Sequence, residues 1–112
     1  MVKLVIKPAE VRVRITFNGE VVADSRDAMR LDEDDYPPVY YLPRKDVKME
    51  RLIRTSHTTH CPHKGDATYF SLCNGRTARN AVWSYERPLD EVSAIKEHVA
   101  FYPDKVDSID CS

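Results

Sequence analysis

The chain has 112 residues, 42% of them hydrophobic and 31% charged, which fits one soluble globular domain with a modest core of its own. Lysine and arginine number 17 against 18 aspartates and glutamates, a formal charge of -1. No broad positive field exists to hold a phosphate backbone, so nucleic acid is not an expected partner. No apolar run approaches the about 20 residues of a membrane span, so none is expected to enter a bilayer.

The first ten residues, MVKLVIKPAE, lack the apolar stretch of a secretory signal. The three cysteines are odd in number and form no CxxC pair. A disulfide framework is therefore not expected, and a cytoplasmic setting is. Val11, Val13, Ile15 and Phe17 alternate with Arg12, Arg14 and Thr16, the period-two signature of a half-buried strand. Asn18-Gly19 then supplies the two positive-φ residues of a tight hairpin loop. Closing it sets Phe17 opposite Glu20 and Ile15 opposite Val22.

Asp32, Glu33, Asp34 and Asp35 form an acidic run that reads as a solvated loop, although paired carboxylates can also bind a divalent cation. Residues 36–43, YPPVYYLP, read as an extended segment fenced by prolines, and hence as an edge strand or a strand ending at Pro43. Asp46 is a candidate cap for a short helical segment over residues 47–53.

Residues 56–70, SHTTHCPHKGDATYF, hold three of the four histidines with Cys61, Lys64 and Gly65. Three readings compete. Imidazole and thiolate are good zinc ligands, so His57, His60, Cys61 and His63 make a structural zinc site a minority possibility. Spacing by three converges on one side only in a helix, and Pro62 breaks a helix there. Alternatively, Cys61 beside Lys64 and a permissive Gly65 presents a thiol, a cation and free N–H groups in one small volume, suited to acyl transfer, thiol redox work or anion capture. The plainest reading is a polar turn with a small buried cysteine and a solvated lysine.

A second Asn-Gly pair, Asn74-Gly75, separates residues 67–73 from residues 76–85. A two-residue loop sets Tyr69 opposite Asn80 and Ser71 opposite Ala78. It places Phe70, Leu72, Ala81, Trp83 and Tyr85 together on a core face. Tyrosines with polar tips and a buried Asn80 can also line a ligand cleft. Residues 88–95 begin with proline and acids, as a short helix does. Residues 99–102 read as a last strand cut by Pro103.

The expected fold class is mainly β, α+β at most: an antiparallel sheet, bent or tent-like, built on two Asn-Gly hairpins with one or two short helices. Residues 1–112 make one domain, with its core over about residues 11–107 and a mobile tail at 108–112.

Four blocks in order, DDYPPVYYLPRKDVKM, HTTHCPHKGDATYFSL, NAVWSYERP and VAFYPDKVD, resemble the domain-of-unknown-function 427 family of small bacterial and fungal proteins. The resemblance implies a small, stand-alone, β-rich fold and no settled activity. A nucleotidyltransferase-like label attached to that family finds no support in these residues, which show no paired-aspartate strand motif beside a Gly-Ser loop. The family's Cys-Pro-x-Lys-Gly signature is matched by Cys61, Pro62, Lys64 and Gly65, with Tyr69 following, and its Asn-Ala-Val-Trp-Ser-Tyr block by residues 80–85. His60 and His63 are less typical of it, which weakens the metal reading.

The resulting expectation is a small-molecule pocket between the Cys-Pro-x-Lys-Gly turn and the second hairpin. Cys61 and Lys64 are its candidate catalytic pair, and His57, Gly65, Tyr69, Asn80 and Trp83 its candidate ligand-binding residues. No cofactor is expected. The alternative is a protein-interaction module that uses a strand edge or the Tyr-Pro-Pro segment.

Overall fold

A computed structural model describes residues 2–112. It is mainly β, with antiparallel pairing throughout. The strands are β1 (Leu4–Pro8), β2 (Val13–Phe17), β3 (Glu20–Ser25), β4 (Met29–Glu33), β5 (Val39–Tyr41), β6 (Leu52–Cys61), β7 (Gly65–Cys73), β8 (Thr77–Ser84), β9 (Val99–Phe101) and β10 (Ser108–Cys111). They form three sheets, ordered β1-β4-β5, β10-β2-β3 and β6-β7-β8-β9. Among the described residues no helix is long and apolar enough to cross a membrane.

The four-stranded sheet carries apolar residues on both faces, and each face has its own core. Phe70, Leu72, Val82, Val99 and Phe101 pack with Val13, Ile15, Phe17 and Val22 of the β2-β3 hairpin. Ala67, Tyr69, Tyr85 and Ala100 pack with Leu31 and Tyr41 from β4 and β5. Leu42 links two of the sheets: its N–H donates to the Val99 carbonyl at 2.8 Å and its carbonyl accepts from Val99 N–H at 2.9 Å. Consecutive residues Tyr41 and Leu42 thus enter opposite cores, as the two-residue period of extended chain requires.

The first Asn-Gly hairpin closes with Phe17 opposite Glu20, as expected. Ile15, however, faces Ala23 rather than Val22, because the register shifts between Ile15 and Thr16. The irregularity turns both Val22 and Ala23 inward, which strict alternation forbids. In the second hairpin Cys73 pairs with Thr77, leaving a three-residue loop, 74–76, instead of two. The extra loop residue shifts the register by one next to the turn, and an irregularity between Phe70 and Leu72 shifts it by two more; Ala81 stays in the core with Phe70 and Leu72, as expected. Tyr69 pairs with Trp83 rather than Asn80, and Ala78 with Leu72 rather than Ser71. Trp83 and Tyr85 therefore lie on the Tyr69 side, away from Phe70 and Leu72. The same irregularity puts Asn80 at φ 50°, with its N–H donating to Ser71 Oγ at 3.1 Å.

The short helix expected over residues 47–53 is absent. Two 3-10 turns, Arg44–Asp46 and Met49–Arg51, lead straight into β6. Lys48 N–H donates to the Val22 carbonyl at 2.8 Å, which draws this segment onto β3, and the Asp46 carboxylate takes the Ser25 hydroxyl instead of capping a helix. The expected helix near residue 90 is a 3-10 segment, Asp90–Ile95, interrupted at Val92. The histidine-rich stretch read as loop is largely the ten-residue strand β6. Residues 108–112, expected as a tail, instead supply β10, which pairs with β2 along its length.

Candidate functional site

The Cys-Pro-x-Lys-Gly signature is the reversal between β6 and β7. Cys61 pairs with Gly65, and Lys64 N–H donates to the Cys61 carbonyl at 3.2 Å across residues 62–64. Gly65 sits at φ 115°, and a Cβ there would lie 3.3 Å from the Arg87 carbonyl oxygen. Leu89 N–H also donates to the Lys64 carbonyl at 2.9 Å. The glycine is thus needed twice, for its backbone conformation and for the close approach of residues 87–89.

This clamp turns Lys64 inward. The residue is 8% exposed, and its ammonium donates to Glu33 Oε1 at 2.8 Å and toward Cys61 Sγ at 3.7 Å. A sheltered ammonium needs such partners, since burying it unpaired costs several kcal/mol. Glu33 reaches it because it lies on the same face of β4 as Leu31, which is buried in the core beneath.

Lys64 and Glu33 stand in the wall of an open cleft of about 550 Å³. The rest of the wall is apolar or aromatic: Leu31, the segment 36–39, the rings of Tyr41, Tyr69, Trp83, Tyr85 and Tyr102, and Pro103. Trp83 meets Tyr41 edge-on with ring centroids 6.2 Å apart, and its indole N–H donates to the Tyr41 hydroxyl at 3.3 Å. Trp83 also packs on Tyr102 at 4.5 Å. The Tyr102 and Tyr69 hydroxyls lie 3.2 Å apart, and Thr59 Oγ1 continues that chain at 3.1 Å from Tyr69. Burial pushes the Tyr41 phenol up to about 12 and raises Tyr85 and Tyr102 as well. All three stay protonated at neutral pH and keep their O–H donors.

Of the seven candidate residues, Lys64, Tyr69 and Trp83 line this cleft. Cys61 touches Lys64 but is not part of the cleft wall, and Gly65 shapes the turn. His57 packs against the Tyr69 ring, centroids 4.5 Å apart. Asn80 lies elsewhere, its Oδ1 accepting the Thr55 hydroxyl at 2.7 Å, because the register shift removed it from the Tyr69 face. The histidine cluster disperses: His60 Nδ1 pairs with Asp66 at 2.7 Å while His57 sits on Tyr69. Among the described residues no three His, Cys, Asp or Glu side chains gather to hold a metal ion.

Glu33 and Tyr102 carry no site signal in the sequence, while Tyr41 and Tyr85 belong to the tyrosines that can line a cleft. Glu33 was hidden in an acidic run, although the alternation Met29, Leu31, Glu33 marks it as strand-borne. Tyr41, Tyr85 and Tyr102 come together only through the pairing of β8 with β9 and the Leu42–Val99 bridge.

Structurally this is a small β-rich domain of three antiparallel sheets with a lysine-carboxylate pair in an aromatic recess. The family described as domain of unknown function DUF427 matches residues 5–111, and the chain belongs to it. None of the curated proteins matches the chain.

Proposed function

We propose that the domain binds a small molecule in the aromatic cleft, with Lys64 as the polar anchor. The observation that carries this is a nearly buried ammonium in the wall of a recess otherwise made of rings and apolar side chains. A few convergent polar groups in a concave apolar surface are what ligand sites offer. An ammonium has three hydrogens; Glu33 and Cys61 take two, leaving one for an acceptor on the ligand. Cys61 serves here as a partner that steadies Lys64. No histidine reaches it among the described residues; its polar neighbour is the Lys64 ammonium at 3.7 Å.

A survey of small aromatic compounds by amide and indole NMR shifts tests this. Trp83 is the one tryptophan, so a single indole resonance reports on the cleft. Shifts concentrated at Trp83, Leu31 and Val39 are expected. Shifts confined to other surfaces would contradict the assignment.

A second reading, a protein-interaction module, has one observation in its favour. Strand β6 ends its sheet, and most of its ten residues are exposed, which leaves a row of backbone groups open to another strand. Shifts along β6 that grow with protein concentration would support it.

A further inference from the structure

Two phenols that line the cleft have O–H groups that no protein acceptor takes up. Tyr85 is 7% exposed and Tyr41 2%, yet among the described residues neither O–H finds an acceptor. The Tyr41 oxygen accepts from Trp83, which leaves its own hydrogen free. Their rings stand 6.4 Å apart and both line the cleft. Both residues line an open cleft, where water satisfies an O–H until a ligand oxygen takes its place.

The charges around them select which oxygen. Glu33 and Lys64 are the charged groups of the cleft wall among the described residues, and they neutralise each other. Lys105 lies against the Tyr102 ring, but its ammonium donates to the Arg79 carbonyl. An incoming carboxylate would therefore shed its hydration beside Glu33 with no unmatched cation to receive it. A neutral carbonyl meets no such cost. The surrounding rings of Trp83, Tyr102 and Tyr69 suit a flat, unsaturated body.

From this juxtaposition we infer that the ligand class is a neutral carbonyl compound on a planar ring, an aryl ketone or amide, with Tyr41 and Tyr85 donating to its oxygen. The inference rests on the cleft being the ligand site and adds the two phenols and the uncharged acceptor.

Acetophenone, ethylbenzene and benzoate are the probes, each titrated into the intact protein with the Trp83 indole resonance as readout. Acetophenone is expected to bind about fivefold more tightly than ethylbenzene, the modest net gain of hydrogen bonds to a neutral acceptor. Benzoate is expected to be weaker than acetophenone. Tyr85→Phe should bring acetophenone toward the ethylbenzene level and leave ethylbenzene unchanged. If that variant does not fold, Tyr41→Phe makes the same comparison. Equal binding of ketone and hydrocarbon, equal weakening of both by the variant, or tightest binding of benzoate would overturn the inference while leaving the ligand cleft standing. Silence from all three probes at the indole would overturn both.

Discussion

Truncating Leu42 to alanine is expected to lower the free energy of unfolding by about 3 kcal/mol, the middle of the range for a fully buried leucine. Leu42 is 0% exposed in the core beneath β2 and β3, while its backbone makes both hydrogen bonds of the bridge to Val99. The substitution leaves those two bonds chemically intact and removes the side chain that holds them in place. A cavity at that point also loosens Tyr41, the next residue, which faces the cleft on the other side of the strand. In urea unfolding the midpoint falls with little change in slope, and the melting temperature drops on the order of 10 °C. A loss below about 1 kcal/mol would mean that the junction collapses around the gap and does not hold the sheets together.

Replacing Lys64 with methionine is expected to cost about 2 kcal/mol, for a different reason. The methionine keeps most of the apolar stem, so little packing is lost. What remains is the Glu33 carboxylate, deprived of a cation at 2.8 Å. Full burial would make that loss about 3–5 kcal/mol, but the Glu33 side chain is 24% exposed and water partly replaces the lysine. Removing both charges together, Glu33→Leu with Lys64→Met, should therefore recover at least half of the loss. A double-mutant cycle by denaturant unfolding measures this coupling. Simple additivity of the two substitutions would show that the carboxylate and ammonium stabilise nothing jointly. The doubly substituted protein should also lose the anchor for a ligand acceptor while keeping its fold, which separates the binding role of Lys64 from its structural one.

Local chemistry was readable in the residues; pairing was not. Asn18-Gly19 dictated its own loop because φ is positive at both positions, 47° and 78°. At Asn74-Gly75 the same dipeptide opened a three-residue loop, and that residue together with the irregularity between Phe70 and Leu72 set Trp83 opposite Tyr69. Nothing in the alternation of residues 76–85 distinguishes the two registers, since apolar side chains occur on both faces and both are buried beyond Asn80. The Cys61–Lys64 proximity follows from three-residue spacing in a tight reversal. Its partner Glu33 lies 31 residues away on another sheet. Burial on both sides of β7 also gives the face of Ala67 and Tyr69 a core of its own, opposite that of Phe70 and Leu72. The strand at residues 52–61 was missed because its side chains are mostly polar and exposed, as an edge strand's are.

The claim on which the functional reading depends is that Lys64, Glu33 and the surrounding rings enclose one volume that accepts a small molecule. A crystal of the protein soaked with acetophenone tests it directly. The expected result is density for the ring against Trp83 and Tyr102, with its oxygen within hydrogen-bond reach of Tyr41, Tyr85 or Lys64. A cleft filled by the segment 36–38, or a probe bound only on outer surfaces, would contradict it.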